Sequence, residues 1–274
     1  MAANHDTRSM ALFCDFENIA LGVREAKYAQ FDIGKVLERL LLKGTILVKK
    51  AYCDWDRYKD FKPTMHAAAF ELIEIPHLRQ SGKNSADIRM VVDALDLCYT
   101  KSHVDTFVII SGDSDFSPLV SKLRENAKTV IGVGVKNSSS DLLIANCDEF
   151  IYYDDLVRED EAKRRAARKR KEARPVAAQK ESAPTEDKKQ EAFDLVLETL
   201  EALAAERGEG EKIWGSMVKQ ALKRRKPGFN ESYYGFRAFS DLLEEAGTRN
   251  LLSLERDEKS GGYIIRPAGS SAAR

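Results

Sequence analysis

From residue 10 to residue 152 the chain alternates two kinds of segment. Short apolar runs occupy 10–14, 45–53, 71–78, 106–110, 129–135 and 150–152. Between them lie stretches with helical character, at 33–42, 61–70, 86–99, 119–126 and 141–145. In the first of these Ile33, Val36, Leu37, Leu40 and Leu41 form one apolar face; in the third Ile88, Val91, Val92 and Leu95 do. Alternating strands and helices predict an α/β fold, a parallel sheet flanked by helices on both faces.

Several of the strand runs stop at acids. The run Thr106-Phe-Val-Ile-Ile110 is broken by Ser111-Gly112 and followed by Asp113-Ser114-Asp115-Phe116. A strand that stops at a glycine delivers both acids to the carboxyl edge of the sheet, where open parallel sheets bind ligands. The plainer reading is turn chemistry, with Ser114 or Asp115 capping the next helix. Asp15 ends the first run, Asp54 follows the second, and Asp87 opens the helix before the fourth.

If the first and fourth strands are neighbours, these tips converge. Two carboxylates ~4 Å apart repel by about 4 kcal/mol at an effective dielectric near 20. A group of four must take up protons or hold a cation. Oxygen ligands without His or Cys point to Mg2+ or Mn2+ rather than zinc. Such ions activate water for phosphodiester cleavage.

The neighbours of these acids each carry two readings. Asn18 orients a ligand carboxylate or phosphate, or makes a turn; Lys83 holds a phosphate, or is a surface lysine. Ser138 to Ser140 contact phosphate or cap the following helix, and Trp55 with Tyr58 either stacks a single strand or packs in the core. Asp93 is expected on a solvated face or behind the ligands, and Glu17 is expected to face outwards.

Length and composition bound the rest. The 274 residues leave room for a medium α/β domain and a smaller second unit. At 43% hydrophobic and 32% charged, the chain has no apolar run long enough to span a bilayer. Residues 1–9 lack the apolar stretch of a signal peptide and are expected to be disordered. Cys14, Cys53, Cys98 and Cys147 are far apart, and the four histidines show no ligand spacing. Reduced thiols and a cytoplasmic location are therefore expected. Net charge is zero, so any attraction for nucleic acid must come from local patches.

One such patch lies at 163–174, which holds eight basic residues and one acid. It falls in a charged segment, 156–189, expected to be a linker that begins as a helix continuing from Asp155. Beyond it, Phe193, Val196, Leu197, Leu200 and Leu203 mark one helix, and Met217, Val218, Ala221 and Leu222 a second. Asn230 is placed to cap a third helix running through Tyr233, Phe236, Phe239, Leu242 and Leu243. A hairpin follows, and the pattern over 190–268 predicts a small winged helix-turn-helix, with a flexible tail at 269–274. Lys219, Lys223, Arg224, Arg225 and Lys226 place five cations within eight positions of the second helix. That exceeds what a helix C-terminus needs and makes them candidates for RNA, with Tyr233 and Tyr234 as stacking residues.

Asp15-x-x-Asn18, Lys83-x-x-x-Asp87 and Ser111-Gly-Asp-Ser-Asp-Phe116, in that order, resemble the NYN domain, a branch of the PIN-like nucleases of the LabA-like and limkain type. The likeness covers about 10–155. It implies a metal-dependent ribonuclease with Asp15, Asp87, Asp113 and Asp115 as catalytic and metal-binding residues. Residues 190–268 resemble an OST-HTH or LOTUS domain through Trp214-Gly-Ser-Met-Val218 and Asn230-x-x-Tyr-Tyr-Gly-Phe236-x-x-Phe239. That likeness implies RNA binding. The expectation is thus a Mg2+- or Mn2+-dependent ribonuclease with single-stranded RNA as partner and no membrane. A protein partner for the C-terminal domain and a homodimer stay open. Two alternatives remain: an RNA-binding regulatory module with little turnover, and a hydrolase of small phosphate esters. The second lacks the Asp-x-Asp nucleophile motif after the first strand.

Overall fold

A computed structural model of the chain describes residues 8–75, 85–172, 184–208, 211–257 and 261–268. Lys83, residues 1–7 and the tail at 269–274 lie outside the described residues. The chain divides into two compact units, one over Asp6–Lys171 and one built on Glu172–Arg274.

The first unit is an α/β fold around a six-stranded parallel sheet. Its strands are β1 (Arg8–Asp15), β2 (Gly44–Cys53), β3 (Glu71–Glu74), β4 (Thr106–Ile110), β5 (Thr129–Gly134) and β6 (Glu149–Tyr152), in the order β3-β2-β1-β4-β5-β6. The strand order reverses at β1, which pairs with β2 on one side and β4 on the other. Met10 to Asp15 are all buried, because both faces of β1 are covered. Met10, Leu12 and Cys14 enter one core and Ala11 and Phe13 the other, as the period of two requires. Ser9, expected in a disordered terminus, already lies in β1, its N–H held by the Asp105 carboxylate at 3.1 Å.

The helices of this unit are α1 (Phe16–Glu25), α2 (Ile33–Lys43), α3 (Lys62–Ala67), α4 (Ser85–Thr100), α5 (Ser117–Glu125), α6 (Asp141–Asn146) and α7 (Tyr153–Glu172). The α1 helix is not among those read from the sequence, although Phe16, Ile19 and Val23 recur at helical spacing and all three are buried. It begins directly at the strand end, where the Asp15 side chain accepts the N–H of Asn18 as a cap. In α4 the buried positions are Met90, Ala94 and Cys98, while Ile88 and Val92 are exposed. Of the apolar face read from the sequence, Val91 and Leu95 pack against the core while Ile88 and Val92 turn outwards. The short Ala94 and Cys98 side chains let the helix lie close against the strands.

The segment from residue 156 begins as the expected helix, since α7 continues unbroken from the domain. Tyr153 is buried, and its hydroxyl accepts the Asp32 N–H at 2.8 Å. Arg39 pairs with Glu159 at 2.6 Å, and Lys35 pairs with Asp160. These contacts tie the first turns of α7 to α2.

The second unit contains α8 (Pro184–Arg207), β7 (Ile213–Trp214), α9 (Gly215–Arg225), α10 (Phe239–Thr248), β8 (Leu252–Arg256) and β9 (Tyr263–Pro267). The expected hairpin β8–β9 gains β7 as a third antiparallel strand, in the order β7-β9-β8. Asn230 does cap, but only a 3-10 turn over Glu231–Tyr234. Gly235 at φ 86° then turns the chain, and α10 starts at Phe239. Among the described residues no helix is long and apolar enough to cross a membrane, and all four cysteines are free thiols.

Candidate functional site

Cys14 lies opposite Ile110 in the β1–β4 pair, so the residues that follow, Asp15 and Ser111, leave the sheet side by side. Ser111 is fully buried, and its hydroxyl donates to Asp15 Oδ2 at 3.0 Å while accepting the Asp113 N–H at 3.2 Å. The side-chain oxygen of Asn18 accepts the Gly112 N–H at 2.9 Å. Asn18 therefore fixes the loop backbone, with its amide oxygen spent on that task. Gly112 is held against the 138–140 loop: a Cβ there would lie 2.5 Å from the Ser138 carbonyl oxygen. Asp113 caps the short turn Ser114–Phe116 by accepting the Asp115 N–H at 3.0 Å. The sequence assigns that role to Ser114 or Asp115 instead. Ser140 caps α6, in line with the capping alternative for that serine run.

Two of the four acids, Asp15 and Asp87, feel the charges of acidic neighbours. Burial, followed by the charge of Asp87, pushes the Asp15 carboxyl up to about 7. Asp113 adds to the rise, and the Asn18 N–H and Ser111 hydroxyl oppose it. Asp87 is raised by burial, then by the charges of Asp113, Asp115 and Glu17. Among the described residues no lysine or arginine forms an ion pair with Asp15, Asp87, Asp113 or Asp115.

Other sequence candidates fall elsewhere. Asp54 accepts the Asp56 N–H at 3.2 Å in a turn, and its charge is not among those acting on Asp15 or Asp87. Glu17 does not simply face outwards: it is about one-third exposed, pairs with Arg57 at 3.0 Å and acts on Asp87. Asp93 is locked rather than solvated. Burial opposes its ionisation, but hydrogen bonds from Tyr52 and Lys50 and the Lys50 charge hold it below the usual carboxylate range. Trp55 is buried against Phe16, with ring centroids 5.0 Å apart, so it packs and offers no stacking shelf. In the sequence Ser111 reads only as a strand breaker. The available signal is a hydroxyl at the end of a buried strand, which needs a partner.

Among the described residues no three His, Cys, Asp or Glu side chains form a ready-made group that could hold a metal. The donor chemistry still suits a hard cation: oxygen only, buried at Asp15 and, among the described residues, without a neutralising base.

Residues 9–154, more than half of the chain, match the model of the NYN domain. The chain belongs to the NYN domain family. The family is generally a nuclease fold, and the six-stranded parallel sheet is consistent with its PIN-like architecture. Over 164 residues the chain is 25% identical to an uncharacterized protein of Methanocaldococcus jannaschii, a match covering 60% of this chain and 65% of that one. The chain thus spans just under two thirds of the length of this curated relative. A crystal structure of a Vibrio parahaemolyticus protein of unknown function is similar at a TM-score of 0.50 and 26% identity, covering 57% of this chain and 98% of that one.

Beyond the NYN domain, the cations proposed for RNA separate into two groups. Lys219 pairs with Glu231 at 2.7 Å. Arg225 is mostly buried and bridges Glu198 at 2.7 Å and the Thr199 hydroxyl at 3.2 Å. Arg224 is partly buried, which lowers its pKa. Lys223 and Lys226 are exposed. Tyr234 is buried against Phe229, whereas Tyr233 is 61% exposed with the Lys188 ammonium 4.6 Å above its ring.

Proposed function

We propose that the chain is a divalent-metal-dependent ribonuclease. The observation that carries this reading is that the buried Asp15 and the half-buried Asp87 are each pushed up by burial and by neighbouring acids at the sheet edge, with no basic partner among the described residues. Carboxylates crowded in this way are unstable as anions unless protons or a cation join them. Asp15, Asp87, Asp113 and Asp115 would hold Mg2+ or Mn2+, an all-oxygen set that these ions prefer. When bound, such an ion supplies Lewis-acid activation of water and of the leaving oxygen in phosphodiester cleavage. The chain's own part is to hold the carboxylates: Ser111 steadies Asp15, Asn18 pins Gly112, and Asp113 is fixed by its own cap.

The second unit we read as a winged helix-turn-helix of OST-HTH or LOTUS type that holds single-stranded RNA. Its helices packed with a three-stranded antiparallel sheet support that reading. Lys223, Lys226 and Tyr233 are its contact residues, since Arg225 and Tyr234 are spent on packing.

The test is cleavage of single-stranded RNA by the whole chain with Mg2+ or Mn2+, comparing the parent with Asp113→Asn. We expect the variant to lose at least ~100-fold in rate, the scale of removing a group that stabilises the transition state. Equal cleavage by both refutes the assignment. The absence of a preformed three-ligand group among the described residues favours one rival, an RNA-binding module without turnover. That reading requires RNA retention in a chelator and no products with either ion.

A further inference from the structure

We infer that the groove beside the acids, walled by Ile88, Val92 and Leu142, is a nucleobase subsite for the strand whose phosphate lies at Asp87 and Asp115. This rests on the ribonuclease reading above. The groove is about 680 Å³, and Asp87 and Asp115 are themselves part of its lining. Its volume falls within the ~300–1,000 Å³ of pockets that take small organic groups.

Its walls are unusual for this surface. Ile88 is 62% exposed, Val92 56% and Leu142 57%, three of the six large hydrophobic side chains exposed among the described residues. They come from two helices, α4 and α6, so one amphipathic segment does not account for their meeting. Apolar side chains left in water on a rigid face indicate an occupant with an apolar surface.

Charge narrows that occupant. Among the described residues that line the groove none is a lysine or arginine, and two are aspartates. Without a metal at the acids, a phosphate has no partner among these residues. A base is uncharged, offers a flat apolar face to the aliphatic wall, and carries polar edges that Ser114 and Ser121 at the rim can meet. With a phosphate at the acids, the attached nucleoside lies within this same groove. An aliphatic wall reads no particular base edge, so the subsite accepts any of the four bases.

The experiment uses the full chain in the Asp113→Asn background with Mg2+ present. Fluorescence anisotropy measures binding of a short single-stranded RNA and of a series in which one abasic site is moved along it. We expect one position at which the abasic site weakens binding ~10-fold, the order of removing one stacked base. In the added double variant Val92→Ser, Leu142→Ser, that discrimination disappears while the thermal midpoint and the binding of the abasic strand hold. Both positions are exposed, so the change does not open the core.

Unchanged discrimination in the double variant overturns the subsite. So does an even response at every abasic position. A loss of self-association in sedimentation, with RNA binding intact, overturns it too and makes the face a contact between copies. Gel analysis of the same oligomer separates the two readings. An intact strand without discrimination sinks the subsite alone, whereas a strand cut by the Asp113→Asn protein sinks the catalytic assignment.

Discussion

Asp15 is an acid with two hydrogen bonds and, among the described residues, no counter-charge, placed at the last position of a fully covered strand. Burial, above all, pushes its carboxyl from the ordinary 3.8 up to about 7. The protonated form is therefore the one that folding favours. Its contribution to stability is complete below the unfolded value and is lost as pH rises through the folded one. In a chelator, the unfolding free energy of the parent relative to Asp15→Asn is expected to fall between about pH 4 and pH 7. The slope is ~1.4 kcal/mol for each pH unit, so the whole drop is on the order of a few kcal/mol. Urea unfolding at several pH values measures it, and a flat difference contradicts the burial argument. Added Mg2+ or Mn2+ is expected to reverse the trend in the parent, by binding the ionised group and raising its midpoint at about pH 8. At this scale the acids stand out in the sequence, because each lies where an apolar run stops. Ser111 and Glu17 do not, since their parts depend on which strand lies next to which. Nor does the sequence signal that Arg225 and Tyr234 are consumed by packing.

At the scale of elements, the loop after β4 is held by hydrogen bonds from three directions. Asn18 reaches it from α1, the Ser140 N–H donates to the Gly112 carbonyl at 2.9 Å, and Ser111 bridges to Asp15. Gly112→Ala would force a methyl against backbone atoms of the 138–140 loop. We expect a loss of ~1–3 kcal/mol, as for other overpacked sites, together with reduced cleavage because Asp113 moves with the loop. Denaturant unfolding and turnover would be read together. An unchanged value of either shows the contact to be yielding. Strand positions are largely legible in the sequence, since a doubly covered parallel strand reads as an unbroken apolar run. Helix faces are less so. In α4 the apolar residues fall on two faces, and small Ala94 and Cys98, rather than Ile88 and Val92, meet the sheet. The α1 helix carries Phe16, Ile19 and Val23 at helical spacing, but it follows β1 without a turn between them, so the sequence shows no boundary to start it from.

Across the whole molecule, zero net charge leaves only local patches to attract nucleic acid. The acids belong to the first unit's sheet edge, and Lys223 and Lys226 to the second unit. Replacing Lys223 and Lys226 together by alanine is expected to weaken RNA binding at low salt. It should also reduce the slope of log affinity against log salt by about one for each phosphate left without a cation. Arg225→Ala should act differently, costing ~1 kcal/mol of stability through the lost hydrogen bonds to Thr199 and Glu198. Titrations at a series of salt concentrations, with thermal unfolding alongside, distinguish the two kinds of residue.

The pairing of β1 with both β2 and β4 sets an order of events during synthesis. Residues 10–14 leave the ribosome before their partner strand at 106–110, which emerges only after some ninety more have followed. Until then Asp15 has neither the hydroxyl of Ser111 nor the field of Asp113 around it. A nascent chain released before Gly112 thus carries the first acid of the set as an ordinary solvated aspartate. Whatever chemistry the site performs is withheld from the cell until the second half of the domain has been made.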